Sequence, residues 1–154
     1  MSRVVLMCGP AGSGKSTIAR RLEAQGMHRL SFDQTAWEQG HRSMPLPEHV
    51  RAAVDRQLRA RLLHLVQSGE DVVLDFSFWS RAMRDDWREL LAPHGVEPEI
   101  FYLTTPREVV LRRVRDRLAS HGDDFQLDEA TAERYFDHFE PPTDDEGRVT
   151  FVDA

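Results

Sequence analysis

Gly9-Pro10-Ala11-Gly12-Ser13-Gly14-Lys15-Ser16, followed by Thr17, decides how the rest of this chain is read. It fits G-x-x-x-x-G-K-[ST], the Walker A pattern, and it lies between a short apolar run, Arg3 to Cys8, and a helical stretch from Lys15 to Gln25 that Gly26 stops. Each part of the pattern has a chemical reason. The glycines let the chain wrap until successive backbone N–H groups point inward at phosphate oxygens. The helix that follows adds its positive N-terminal end. Lys15 reaches the β and γ phosphates, and the Ser16 hydroxyl suits a magnesium ion. A nucleoside triphosphate tail is therefore expected on Gly9, Ala11, Gly12, Ser13, Gly14, Lys15, Ser16 and Thr17.

The rest of the composition agrees with a compact enzyme-sized unit. The 154 residues are read as one domain, 1–154, and the 40% that are hydrophobic are enough to build a core. A net charge of −6 disfavours nucleic acid and anionic membranes as partners, because the whole-molecule field repels phosphate-rich surfaces. The single cysteine, Cys8, excludes an internal disulfide and suits a reducing compartment, and it is read as a core residue of the first strand. No segment approaches the roughly 20 apolar residues that cross a bilayer, and the run Val4 to Cys8 is too short for a signal-peptide core. A cytoplasmic location is expected. The seven histidines show no zinc-ligand spacing. Of the 20 basic residues only Lys15 is a lysine. The arginine bias reads as genomic base composition, yet the lone lysine falls where a phosphate loop requires one.

Outward from the loop, short apolar runs alternate with helical stretches. His28 to Phe32, Asp71 to Phe76, Glu99 to Thr104 and Val149 to Val152 read as further strands. Helices are expected from Pro47 to Ser68, Ser80 to Leu91, Thr105 to Ser120 and Asp128 to Phe139, the third opened by Thr105-Pro106-Arg107-Glu108 as a capping box. Asp33 to Pro47 has no clear period and reads as a loop. The pattern predicts an α/β fold, a three-layer α/β/α sandwich around a parallel sheet of about five strands. Ligands bind such sheets at the carboxyl ends of the strands. Those ends hold Gly9 to Thr17, Asp33, Asp75 to Arg81, and Thr104 onward.

A Ras-like GTPase reads guanine with an Asn-Lys-x-Asp element, which a chain with one lysine already in the loop lacks, and mechanical ATPase modules are generally larger. The chain resembles the small P-loop kinases grouped with zeta toxins, chloramphenicol phosphotransferase and the kinase domain of polynucleotide kinases. The resemblance runs the whole length as an ordered skeleton: the loop, Asp33 after the second strand, Asp75 ending the third, and an arginine-rich helix after the fourth. It implies an ATP-dependent, magnesium-dependent phosphotransferase acting on a hydroxyl of a small-molecule acceptor. Asp33 would be the base that takes the hydroxyl proton, its other reading being a helix or turn cap. Asp75, closing the run DVVLD, would join Ser16 in holding magnesium, or else simply end a strand. Arg113 and Arg117, four apart on one helix face, match the lid arginines that neutralise charge on the transferred group; the alternative is a solvated face paired with Glu108 and Asp116.

Trp37, Phe78 and Trp79 are candidate aromatic walls for the acceptor, with Arg81 or Arg84 as its anchor, against the plain alternative of packing. Phe139-Glu140-Pro141-Pro142 lies where related kinases place an adenine-contacting loop, and equally reads as a helix end with a proline turn. A polynucleotide 5′-kinase or a zeta-toxin-like nucleotide-sugar kinase is the nearest competing expectation. Polynucleotide kinases follow their aspartate with a nearby arginine, whereas here Asp33-Gln34-Thr35-Ala36-Trp37 has none before Arg42. A non-catalytic ATP-binding regulatory module shares the loop but has no need of Asp33 or the lid arginines.

Overall fold

Five strands form one wholly parallel sheet in the order β2-β3-β1-β4-β5: β1 (Val4–Cys8), β2 (His28–Ser31), β3 (Val72–Asp75), β4 (Glu99–Leu103) and β5 (Val149–Val152). This is the computed structural model of the chain; it describes residues 2–10, 12–41, 46–119 and 129–152, with the backbone alone at 117–119 and 129. Expectations that fell on Ala11, Arg42, the loop 121–126 and the cap at Asp128 lie outside the described residues. The helices are α1 (Lys15–Ala24), α2 (Phe32–Glu38), α3 (Glu48–Gln67), α4 (Arg81–Leu91), α5 (Arg107–Ala119) and α6 (Glu129–Asp137).

A parallel strand covered on both faces has no polar side to show, and β1 is buried at every position. Its side chains alternate between two cores. Val4, Leu6 and Cys8 join Leu58 and Leu62 of α3 and Trp87 of α4, while Val5 and Met7 join Ala19 and Leu22 of α1. Two helical layers with the sheet between them follow directly. In α3 the buried residues Val54, Leu58 and Leu62 recur every fourth position, the stripe that a helix lays on a sheet. Because β1 has β3 on one side and β4 on the other, its carboxyl end is the point where the strand order reverses and a crevice opens.

The segment after β2 differs from expectation. Phe32 ends no strand; it begins α2, whose cap is Ser31, with its hydroxyl accepting the Gln34 N–H at 3.1 Å. Ser31-x-x-Gln34 is a helix-start pattern. The long helix begins at Glu48, with Pro47 just before its first turn.

Arg84 is a second departure. It is fully buried on the inner face of α4, where it cannot anchor an acceptor. Its Nε and Nη2 donate to Glu146, at 2.6 and 3.3 Å, and Nη1 donates to the Phe78 carbonyl at 2.8 Å. Glu146, equally buried, ends a 3-10 turn, Asp144–Glu146, and also accepts the Thr143 N–H at 2.6 Å. Burial opposes the Glu146 anion, but the Arg84 and Thr143 hydrogen bonds win and hold its carboxyl below the ordinary value. The same surroundings push the Cys8 thiol up to about 12, chiefly through burial.

Candidate active site

The loop after β1 is held from three sides. Gly9 donates its N–H to the Ser77 carbonyl at 3.1 Å, and Ser13 donates its N–H to Pro10 at 3.1 Å. Thr105 donates its hydroxyl to the Ser13 carbonyl at 2.7 Å, and Arg113 Nη1 donates to the Gly12 carbonyl at 3.3 Å. Gly12 has φ of 84°, and a Cβ there would come within 2.9 Å of the Val110 carbonyl, so α5 rests directly on the loop. Gly14, with φ of 101°, turns the chain into α1. Lys15 Nζ donates to the Pro10 carbonyl at 3.0 Å, which brings the ammonium back across the loop. Among the described residues, Ser13 Oγ is buried without a hydrogen-bond partner.

Arg113, expected as a lid arginine, is placed against the loop through the Gly12 carbonyl. The Arg117 side chain lies outside the described residues. Thr105 was read only as a helix cap. Instead α5 starts at Arg107, with the Pro106 carbonyl accepting from Val109 and Val110, and the Thr105 hydroxyl fastens the loop to the end of β4. A threonine that bonds a backbone carbonyl 92 residues away leaves no local signal.

Asp75 ends β3, in register with Ser31 and two residues before the Ser77 carbonyl that receives Gly9. It is buried and ion-paired. Arg29 Nε and Nη2 both donate to Asp75 Oδ2, at 2.9 and 2.7 Å, and Arg29 Nη1 donates to Gln34 Oε1. Asp33 is exposed in the first turn of α2, two residues beyond the strand position that pairs with Asp75.

The acceptor candidates separate. Phe78 is fully buried, stacked on Phe76 at 5.3 Å and edge-on to Trp87 at 6.1 Å, so it belongs to the core and forms no wall of an open pocket. Its φ of 45° is a genuine outlier for a bulky residue. Trp37 is half-buried and packs on the same core. Trp79 is 50% exposed at the sheet edge. Arg81 is engaged by Asp85 at 3.0 Å and by Asp145 at 2.9 Å, and it ties α4 to the 143–146 segment. Its guanidinium holds the Asp145 carboxyl down at about 2, helped by the Thr143 hydroxyl.

Three successive carbonyls after β3 are each taken by a different part of the molecule. Ser77 receives Gly9, Phe78 receives Arg84, and Trp79 receives the Glu140 N–H at 2.8 Å. The last bond brings residues 139–141 beside the loop. There, a cleft of about 200 Å³ is lined by Pro10, Tyr102, Leu103, Thr104, Thr105, Phe136, Phe139 and Pro141. Phe139 stacks parallel to Tyr102, with ring centres 6.1 Å apart.

Ser16 and Asp75 offer a hydroxyl and a carboxylate, hard oxygen donors of the kind magnesium takes. Among the described residues no group of three or more His, Cys, Asp or Glu side chains is placed to hold a metal, so an ion here would complete its shell with phosphate oxygens and water. No helix among the described residues is long and apolar enough to cross a membrane.

A family model described as AAA domain (AAA_33) matches residues 4–142. No curated protein matches the sequence. Among solved structures, a gluconokinase from Sinorhizobium meliloti is 24% identical, with TM-score 0.68, over 98% of this chain and 82% of that one. Chaetomium thermophilum Kti12 in complex with ADP-AlF3 is 16% identical, with TM-score 0.71, over 97% and 88%. A chain of the Pnkp1/Rnl/Hen1 RNA repair complex is 18% identical, with TM-score 0.78, over 89% of this chain and 43% of that one. At these identities the likeness is one of fold.

Proposed function

This chain belongs to the AAA_33 family of P-loop kinase-like domains, and from that footing we propose that it transfers the γ-phosphoryl group of ATP to a hydroxyl of a small-molecule acceptor. The observation that carries the reading is the convergence on one loop of Lys15 and Arg113, a loop tied through Gly9 to Ser77, two residues beyond Asp75 at the end of β3. Main-chain N–H groups of the loop bind the phosphates, and Lys15 and Arg113, with Arg117 as a further candidate, offset negative charge that grows on the transferred group. Ser16 and Asp75 would hold magnesium, which when bound neutralises the β- and γ-phosphate oxygens. Asp33 takes the proton of the acceptor hydroxyl. The acceptor oxygen bonds to the γ-phosphorus as the bond to the β,γ-bridging oxygen breaks and ADP departs. The cleft between Tyr102, Thr105 and Phe139 suits the adenine ring.

Likeness to a gluconokinase supports a sugar or polyol as acceptor. Likeness to a chain of an RNA repair complex supports a second reading, a polynucleotide 5′-hydroxyl, which the net charge of −6 opposes. Labelled-phosphate transfer from ATP, run against a sugar and polyol panel and against an oligonucleotide, separates them. Label on a sugar is expected; label on neither class would overturn the phosphotransferase reading in favour of a nucleotide-binding module. Replacing Lys15 by alanine removes a charge-assisted contact to phosphate, and nucleotide affinity should fall about 10- to 100-fold in a calorimetric titration. Unchanged affinity would place the phosphates elsewhere.

A further inference from the structure

Arg29 lies in β2, an edge strand of the sheet. In the structure its side chain is 6% exposed, and its guanidinium is turned along the sheet edge onto Asp75, whose side chain is 2% exposed. Nε and Nη2 converge on one carboxylate oxygen, Oδ2. Among the described residues no hydrogen bond goes to Oδ1. The same guanidinium reaches Gln34 on α2 through Nη1, next to Asp33. A single buried cation thus touches both the carboxylate after β3 and the helix that carries the exposed aspartate after β2.

Two physical arguments give this arrangement a purpose beyond packing. An aspartate side chain turns about two bonds, and a carboxylate gripped by two donors at one oxygen has a fixed plane with the other oxygen left over. A buried ion pair is also weak evidence of stabilisation by itself, since desolvating both charges offsets most of their attraction. The planar fork of arginine suits such a grip, and a lysine ammonium offers no equivalent. Groups that orient a metal-binding side chain without touching the metal commonly govern how tightly the metal is held.

We propose that Arg29 is a positioning residue: it locks the Asp75 carboxylate so that Oδ1 remains the oxygen offered to the magnesium of the bound nucleotide, and it keeps α2 in register with that oxygen. The inference rests on the reading of Asp75 as a magnesium-holding carboxylate. It assigns no contact between Arg29 and the nucleotide or the acceptor.

The test is a calorimetric titration of a non-hydrolysable ATP analogue at rising magnesium concentrations, which needs no turnover and no known acceptor. In Arg29→Gln the magnesium concentration that gives half of the full affinity gain should rise by about 10- to 100-fold, the range typical for loss of such an orienting partner. Affinity for the analogue in a chelator should stay at the wild-type value, because the loop itself is untouched. Arg29→Lys, which keeps the charge and the fold, should show a smaller rise with an unchanged melting temperature. Asp75→Asn should shift the midpoint as well, and adding Arg29→Gln to it should shift it no further, since the first residue acts only through the second. A wild-type midpoint in both Arg29 variants, with Asp75→Asn shifted, overturns the role of Arg29 alone. A wild-type midpoint in Asp75→Asn overturns the metal reading and this inference with it.

Discussion

Asp33→Asn is expected to lower kcat by about 10²- to 10⁴-fold, the span that a positioned general base supplies. The substitution keeps the shape of the side chain and removes its ability to accept the proton of the acceptor hydroxyl. Asp33 is exposed in the first turn of a seven-residue helix whose cap is Ser31, so the fold should barely register the change. Losing a negative charge near a helix N-terminus costs under about 1 kcal/mol. Nucleotide affinity should be preserved, because the proposed phosphate site is the loop after β1 and Asp33 follows β2. Rapid-quench measurement of phosphoryl transfer, together with calorimetry of the nucleotide complex, checks both halves. Transfer at the wild-type rate would leave Asp33 as a helix-terminus residue and send the search for the base elsewhere.

The second large effect concerns stability. Arg84→Met removes one partner of a fully buried pair and leaves Glu146 with the more distant Arg81, at 3.9 Å, as its counter-ion; breaking a buried pair in this way destabilises proteins by about 3–5 kcal/mol. It also releases the Phe78 carbonyl, whose residue holds a left-handed φ that a non-glycine residue maintains only under constraint, at about 1–3 kcal/mol. The pH dependence has a definite sign. Glu146 has a carboxyl pKa below its unfolded value, so its contribution is complete above pH 4.5 and fades as the pH falls through the lower, native value. A protonated Glu146 needs no cation. The gap between wild type and Arg84→Met should therefore be widest near neutrality and narrow on acidification, as read from urea midpoints at pH 7 and pH 4. An equal gap at both would mean that the methionine harms packing rather than charge pairing. The double replacement Arg84→Met with Glu146→Leu should recover most of the loss.

Legibility from sequence followed the distance over which each feature is determined. The strand, loop and helix from Val4 to Ala24 are specified by adjacent residues, so their bounds could be read to within a residue. The parallel sheet followed from the alternation of short apolar runs with helices. α2 was missed because it is short and buries only Ala36, which gives no helical period, and because Ser31 was read inside a strand running on to Phe32. Phe78 and Arg84 were candidates for an acceptor pocket, against the alternative of packing, because the segment after β3 lies at the carboxyl edge of the sheet. What buries Arg84 is a glutamate 62 positions later. Likewise Arg29 looks like a solvated strand residue until Asp75, 46 positions on, is brought beside it. Arginine burial is decided by partners that only the folded chain supplies. Trp79 is exposed at the edge, and Arg113 donates to the Gly12 carbonyl of the loop.

The junction from Ser77 to Trp79 bears on how such a scaffold changes substrates over evolutionary time. A tripeptide whose main chain is already claimed by the glycine loop, by a salt-linked core and by the segment beside the Tyr102–Phe139 cleft tolerates neither insertion nor deletion, since lengthening it would disturb all of these at once. If the proposed transfer holds, diversity in the acceptor is expected in segments free of such ties, leaving this stretch as the hinge-pin around which new specificities are built.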